Sequence, residues 1–114
     1  NENIPSTLDA TALCKMADRG QINGGILDGP LGFDLAISKV SAEVKRIDSE
    51  VAGDADIIVV PDVESGNMLY KQMTYLAGSE AAGLVLGAKV PIILTSRGND
   101  VASRKASSAM ALVY

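Results

Sequence analysis

The chain has no histidine and no tryptophan, and only one cysteine and one phenylalanine, among its 114 residues. Without histidine it cannot supply a Ser-His-Asp triad, a Cys-His pair, a His-ligated zinc or a haem histidine of its own. Acid–base chemistry is left to carboxylates, Lys, Cys and Tyr. The lone Cys14 excludes an internal disulfide and a multi-cysteine metal site, and points to the cytoplasm as the compartment. Long apolar runs are missing too. The most apolar stretch, Leu84 to Leu94, is broken by Gly87, Lys89 and Pro91, well short of the roughly 18 residues a membrane span needs. The polar start, Asn1 to Pro5, does not read as a signal peptide. A soluble protein with no membrane partner is expected. With pI near 4.6 and few aromatic rings, nucleic-acid binding lacks both its basic footprint and its stacking platforms.

What is present is apolar material for one ordinary domain, 47% of the chain, with 10 basic against 14 acidic side chains. The charge is uneven. Arg97, Arg104 and Lys105 face a single acid, Asp100, in the last 18 residues, so the tail is locally positive. Helical and strand signals alternate along the chain, which favours an α/β layer architecture. Ser6 and Asp9 have capping-box spacing, Leu8, Ala12, Leu13, Met16 and Ala17 mark one helical face, and Gly20 ends it. Ile22 to Leu27 reads as a strand closed by Asp28-Gly29-Pro30, with Pro30 placed to open the next helix. Phe33, Ile37, Val40, Val44, Ile47 and Val51 then recur at helical spacing, with loop residues taking over near Ile47.

Asp56 to Val60 is the clearest buried strand, stopped by Pro61 and followed by a polar turn from Asp62 to Asn67. A helix is expected from Asn67 to Ser79, then strands at Gly83 to Leu86 and Pro91 to Thr95. Ser96 to Asp100 leads into a last helix with Ala102, Ala106, Ala109, Met110 and Val113 on its apolar face. Three turns, Asp28-Gly29-Pro30, Pro61 to Asn67 and Ser96 to Asp100, thus follow strand ends. In open α/β sheets ligands bind beyond those ends, at helix N-termini. All three turns are therefore expected along one sheet edge, facing a common cleft. A hydroxyl, a guanidinium and a flexible Gly at Ser96-Arg97-Gly98 suit an oxyanion or phosphate cradle. The same residues are also what a capped surface helix would use.

At this point the residues carry a resemblance. Val60-Pro61-Asp62-Val63-Glu64-Ser65-Gly66-Asn67 is similar to the VPD-x-E-[AS]-G-N signature of the phosphate acetyl/butyryltransferase family, and Gly87 to Arg97 resembles that family's run into its catalytic Ser-Arg pair. Ser6 to Ala10, the Gly20-Gln21-Ile22 step, Asp28 to Leu31 and Val51 to Asp56 fall in the family's order, so the resemblance spans nearly the whole chain. The Gly-Ala-Lys-Val-Pro-Ile-Ile-Leu-Thr-Ser-Arg wording looks closer to the butyryl-type branch. Family enzymes have two α/β domains with the site in the cleft between them, and this chain resembles the C-terminal part alone.

The resemblance implies a three-layer αβα fold with a mostly parallel sheet, of the isocitrate/isopropylmalate dehydrogenase-like kind. Residues 1–95 would form the α/β domain, and 96–114 the Ser-Arg turn and a helix packing toward an N-terminal domain. It implies reversible acyl transfer between coenzyme A and inorganic phosphate, with acyl-CoA and acyl phosphate as the other partners, in a homo-oligomer. No metal or redox cofactor is implied, coenzyme A being a substrate. Ser96, Arg97 and Asp100 are the candidate catalytic residues, and Asp28, Gly29, Pro30, Asp62, Glu64 and Asn67 the candidate substrate-binding ones. The acid that the acetyl branch places beyond its Ser-Arg pair falls by direct counting on Ser103, and Asp100 is the only acid in the tail, which leaves the base open.

Other readings stand beside these. Asp62 and Glu64 equally suit an N-cap and first-turn acid complementing a helix dipole. Asp28 suits an ordinary turn, and Cys14 a small packed residue. A catalytically silent α/β domain that folds and dimerises is the alternative function. A dehydrogenase-like domain would need G-x-G-x-x-G after a strand, which the chain lacks.

Overall fold

The computed structural model describes residues 1–114, which divide into two compact units, 1–61 and 62–114. In the first, helix α1 spans Pro5–Asp18, α2 Phe33–Ile37 and α3 Lys39–Val44. Pro5 opens α1 at the position where its missing N–H costs nothing, so Ser6 lies within the helix and does not cap it. Gly20, at φ +71°, closes α1: its N–H donates to the Ala17 carbonyl (2.8 Å) and that of Gln21 to Met16 (2.9 Å), a Schellman end.

The single helix expected from Phe33 is two. Ser38 is extended, at φ −123° and ψ 109°, and its Oγ accepts the Ser41 N–H at 3.2 Å, capping α3 and interrupting the apolar periodicity. Arg46, at φ +55°, then ends α3 before Ile47. Ala36 and Ala42 are the buried side chains of this unit, where α2 and α3 pack together.

Gly53 locks the following loop onto that pair. Its N–H donates to the Leu35 carbonyl (2.7 Å), Ala55 N–H donates to Ala36 (3.1 Å), and the exposed Lys39–Asp54 ion pair closes at 2.9 Å. The backbones approach so closely that a Cβ on Gly53 would stand 2.6 Å from Lys39 N and Cα, and φ is +82°. Only glycine satisfies both constraints.

In the second unit, α4 spans Val63–Tyr75, β1 Leu84–Val85, β2 Ile92–Ile93 and α5 Val101–Val113. The expected polar turn from Asp62 to Asn67 is the first turn of α4, which begins four residues earlier than the apolar pattern suggests. The two strands pair antiparallel, Leu84 with Ile93 and Val85 with Ile92, and form the only sheet. The expected mostly parallel sheet is therefore not observed. A parallel connection needs about a dozen residues or more, and the short run between β1 and β2 permits only a hairpin. Ile22–Leu27 and Asp56–Val60 form no strand either. Residues 57–60 belong to no helix or strand, and Ile58 and Ile93, expected to be buried, are 40% and 44% exposed. No helix is long and apolar enough to cross a membrane.

Helix α5 packs on the hairpin, and Ser107 joins them. It is the one fully buried side chain, 1% exposed. Its Oγ accepts the Gly83 N–H at 3.0 Å and donates to the Ser103 carbonyl at 2.8 Å, so both hydroxyl functions are used.

Two substitutions test these joints by denaturant unfolding. Gly53→Ala should destabilise the first unit by about 2 kcal/mol or more, combining positive-φ strain with a backbone clash. Ser107→Ala should cost the second unit about 1–2 kcal/mol, because the Gly83 N–H loses its partner in a buried setting.

Candidate functional site

Two adjoining cavities lie in the second unit, of about 390 and 220 Å³. Both are walled by Tyr70 and Lys71 of α4, by Ser96 and Asn99 of the following turn, and by Ser103 of α5. The larger also reaches Asn67, the Ala81–Gly83 backbone side and Leu94; the smaller reaches Thr74, Tyr75 and Asp100.

Asn99 holds the turn. Its Oδ1 accepts the Ser96 N–H in a short hydrogen bond, its own N–H donates to the Ser96 carbonyl (3.0 Å), and its Nδ2 donates to the Tyr70 hydroxyl at 3.0 Å. The side chain thereby ties the turn to α4. Because Tyr70 accepts that bond, its own proton is free for another acceptor. Ser96 Oγ is at 3.4 Å from the Gly98 N–H. Lys71 Nζ stands 5.2 Å from the ring centroids of both Tyr70 and Tyr75, a double cation–π contact.

Asp100 is the N-cap of α5, its Oδ1 accepting the Ser103 N–H at 2.8 Å. The Ser103 hydrogen bonds hold its carboxyl below the usual range. Asp62 does the same for α4: Oδ1 accepts the Ser65 N–H at 2.7 Å and also the Ser65 hydroxyl, and these bonds lower its pKa. Both carboxylates are exposed.

Of the candidate residues, Ser96 and Asn67 meet at the larger cavity, and Ser96 and Asp100 at the smaller. Arg97 is exposed on the same turn and lines neither. Asp62 and Glu64 occupy the start of α4, with Asp62 committed to its cap. Asp28, Gly29 and Pro30 belong to the first unit, where Asp28 Oδ1 accepts the Gly29 N–H at 2.7 Å and the Gly29 carbonyl accepts Cys14 Sγ at 3.7 Å. With no parallel sheet, the sheet edge on which these turns were expected is absent. Cys14 is half-buried, and burial, followed by Asp28 and Asp18, pushes its thiol up from 9.0, which suits a packed residue and not a nucleophile. Tyr70, Lys71, Asn99 and Ser103 were missed. For Tyr70 and Lys71 the signal was a polar helical stripe, Asn67, Tyr70, Lys71 and Thr74, at the same three-and-four spacing that marks an apolar face; Asn99 and Ser103 stand within and just beyond the Ser96 to Asp100 turn.

Residues 1–112 match the family described as phosphate acetyl/butaryl transferase. The chain belongs to this family. It is 61% identical to a phosphate acetyltransferase of Rhizobium meliloti over 97% of its length and 35% of the relative's, and 46% identical to a phosphate butyryltransferase of Clostridium acetobutylicum over 97% and 37%. Among solved structures it is similar to a branched-chain phosphotransacylase from Enterococcus faecalis V583, with TM-score 0.82 and 35% identity over 98% of this chain and 40% of that one. The chain thus spans about a third of the length of the curated relatives it matches. The lean toward the butyryl-type branch is not carried by these identities, which are higher for the acetyltransferase. The αβα likeness of the family stands at the level of an α/β fold, while the parallel sheet is not seen in this chain.

The two caps give the site a pH dependence. A carboxyl with a lowered folded-state pKa adds stability above its unfolded value, near 3.8 for both Asp62 and Asp100, and loses it as pH falls through the folded value. Acid titration followed by helical circular dichroism should show α4 and α5 weakening below that value. Asp62→Asn with Asp100→Asn should flatten this acid limb while the caps persist, because Asn caps about as well as Asp.

Proposed function

We propose that this chain supplies the Ser-Arg part of a phosphate acyltransferase site, which moves a short acyl group reversibly between coenzyme A and inorganic phosphate. Membership of the family supports the reaction class. The observation that carries the site is the Ser96–Asp100 turn, pinned by Asn99 beside a cavity whose lining holds a single charge, the ammonium of Lys71.

The thiol sulfur attacks the acyl carbon of an acyl phosphate, forming C–S; the C–O bond to phosphate then breaks. A departing trianionic phosphate takes up the thiol proton and leaves as hydrogen phosphate, so charge and protons balance. The site must hold two anionic substrates together and stabilise a tetrahedral oxyanion. Ser96 is the oxyanion donor in this reading. Arg97 binds phosphoryl or acyl oxygens, a planar guanidinium engaging two at once. Asp100 holds the turn by capping α5. A carboxylate kept below the usual range is poorly matched to a thiol proton, which favours proton uptake by the phosphate. Asn67 contributes by lining the cavity, and Asp62 by capping the helix that carries it, with Glu64 in its first turn.

The second reading, a catalytically silent domain, is favoured by the exposure of Ile57 and Val59, 81% and 79%, in a segment outside any helix or strand. Assaying thioester formation from acyl phosphate and coenzyme A separates them, run on this chain and on the gene product that carries it. In the gene product, Arg97→Lys should lose at least about tenfold in kcat/KM, on the order of 1.4 kcal/mol, and Arg97→Ala more. Ser96→Ala should lower turnover roughly tenfold or more, while Asp100→Asn keeps most of it. Near-wild-type kinetics for a folded Arg97→Ala would overturn the assignment.

A further inference from the structure

Helix α4 brings to the cavities a cation that the Ser-Arg motif does not account for. Lys71 lines both, and no carboxylate lies within ion-pair distance of its Nζ, whereas Lys15, Lys39 and Lys45 are each paired with an aspartate. The rings of Tyr70 and Tyr75, each centred 5.2 Å from Nζ, hold it without neutralising it. Around it the larger cavity has no second charge: its lining is apolar at Ala81, Ala82 and Leu94 and otherwise neutral. Tyr70 has its hydroxyl proton free because it accepts from Asn99 Nδ2, and Ser96 and Ser103 stand on the same wall. The one carboxylate nearby, Asp100, lines the smaller cavity and has Oδ1 committed to the Ser103 N–H.

We propose that Lys71 and the Tyr70 hydroxyl form the seat of the phosphoryl group, binding inorganic phosphate or the phosphate end of an acyl phosphate beside the turn that carries Arg97. A tetrahedral oxyanion accepts from several donors at once, and the seat offers an ammonium without a carboxylate partner and a hydroxyl whose proton is free. The two rings already hold the ammonium, so less side-chain freedom is lost on binding. This rests on the acyltransferase reading and adds to it the residues that receive phosphate.

The gene product tests it in two ways. Steady-state kinetics of Lys71→Met in the phosphate-consuming direction should raise KM for phosphate at least about tenfold, with KM for acyl-CoA changed less than about twofold. Lys71→Arg should recover part of the loss, and Tyr70→Phe, which removes only a hydroxyl, should raise the phosphate KM by severalfold. Calorimetric titration with inorganic phosphate alone provides a readout that needs no turnover, and binding should weaken in the same order. If the wild type transfers acyl groups and folded Lys71→Met and Tyr70→Phe both keep their phosphate KM, the seat is overturned while the acyltransferase reading stands. If the wild type has no transfer activity but loses phosphate binding on Lys71→Met, the seat is supported and the reaction reading fails. A wild type that does not bind phosphate overturns the seat.

Discussion

The candidate site depends on one side chain, Asn99, whose two amide atoms are both occupied. Oδ1 fixes the Ser96 backbone, and Nδ2 fixes the Tyr70 hydroxyl 29 residues earlier. An amide can do this because it is donor and acceptor on one planar group. The consequence reaches in both directions: the turn that carries Ser96 and Arg97 is held against α4, and Tyr70 is left with a proton to give. Asp100, the next residue, then caps α5, so the turn is bounded by a fixed helix as well. A turn built from Ser, Arg and Gly has little stiffness of its own, and these neighbours supply it.

The second constraint is how little of the apolar content is buried. Ala36, Ala42, Gly53 and Ser107 are the buried residues, and the joints in each unit are backbone approaches and hydrogen bonds more than packed side chains. Gly53 against Lys39 and Ser107 against Gly83 are of this kind. Large side chains such as Ile57 and Val59 in the first unit and Leu76 in the second remain exposed.

Helices were the legible part of the sequence. The apolar stripes of α1, α4 and α5 mark real helices, and Gly20 ends α1 as its position indicates. The boundaries went wrong where a side chain outcompeted periodicity: Ser38 by capping α3, Asp62 by starting α4 within a stretch that reads as a turn. Sheet was the illegible part. Ile57 to Val60 has the composition of a buried strand, but a strand is defined by its neighbour, and composition does not say where the neighbour comes from. The hairpin could have been read, because the loop between its strands is too short for a crossover. At the site, the motifs marked Ser96 and Asn67, while Tyr70 and Lys71 lay on a polar stripe that looks like solvent-facing helix until the opposing turn is in place.

The central claim is that the Asn99 amide holds the proposed catalytic turn against α4, and the most direct measurement is kcat/KM for acyl transfer by the Asn99→Ala variant of the gene product. The account expects a fall of at least about tenfold with the unfolding midpoint little changed, since the amide bonds lie at a partly exposed turn and orient groups more than they stabilise the fold. Wild-type kcat/KM in Asn99→Ala would contradict it.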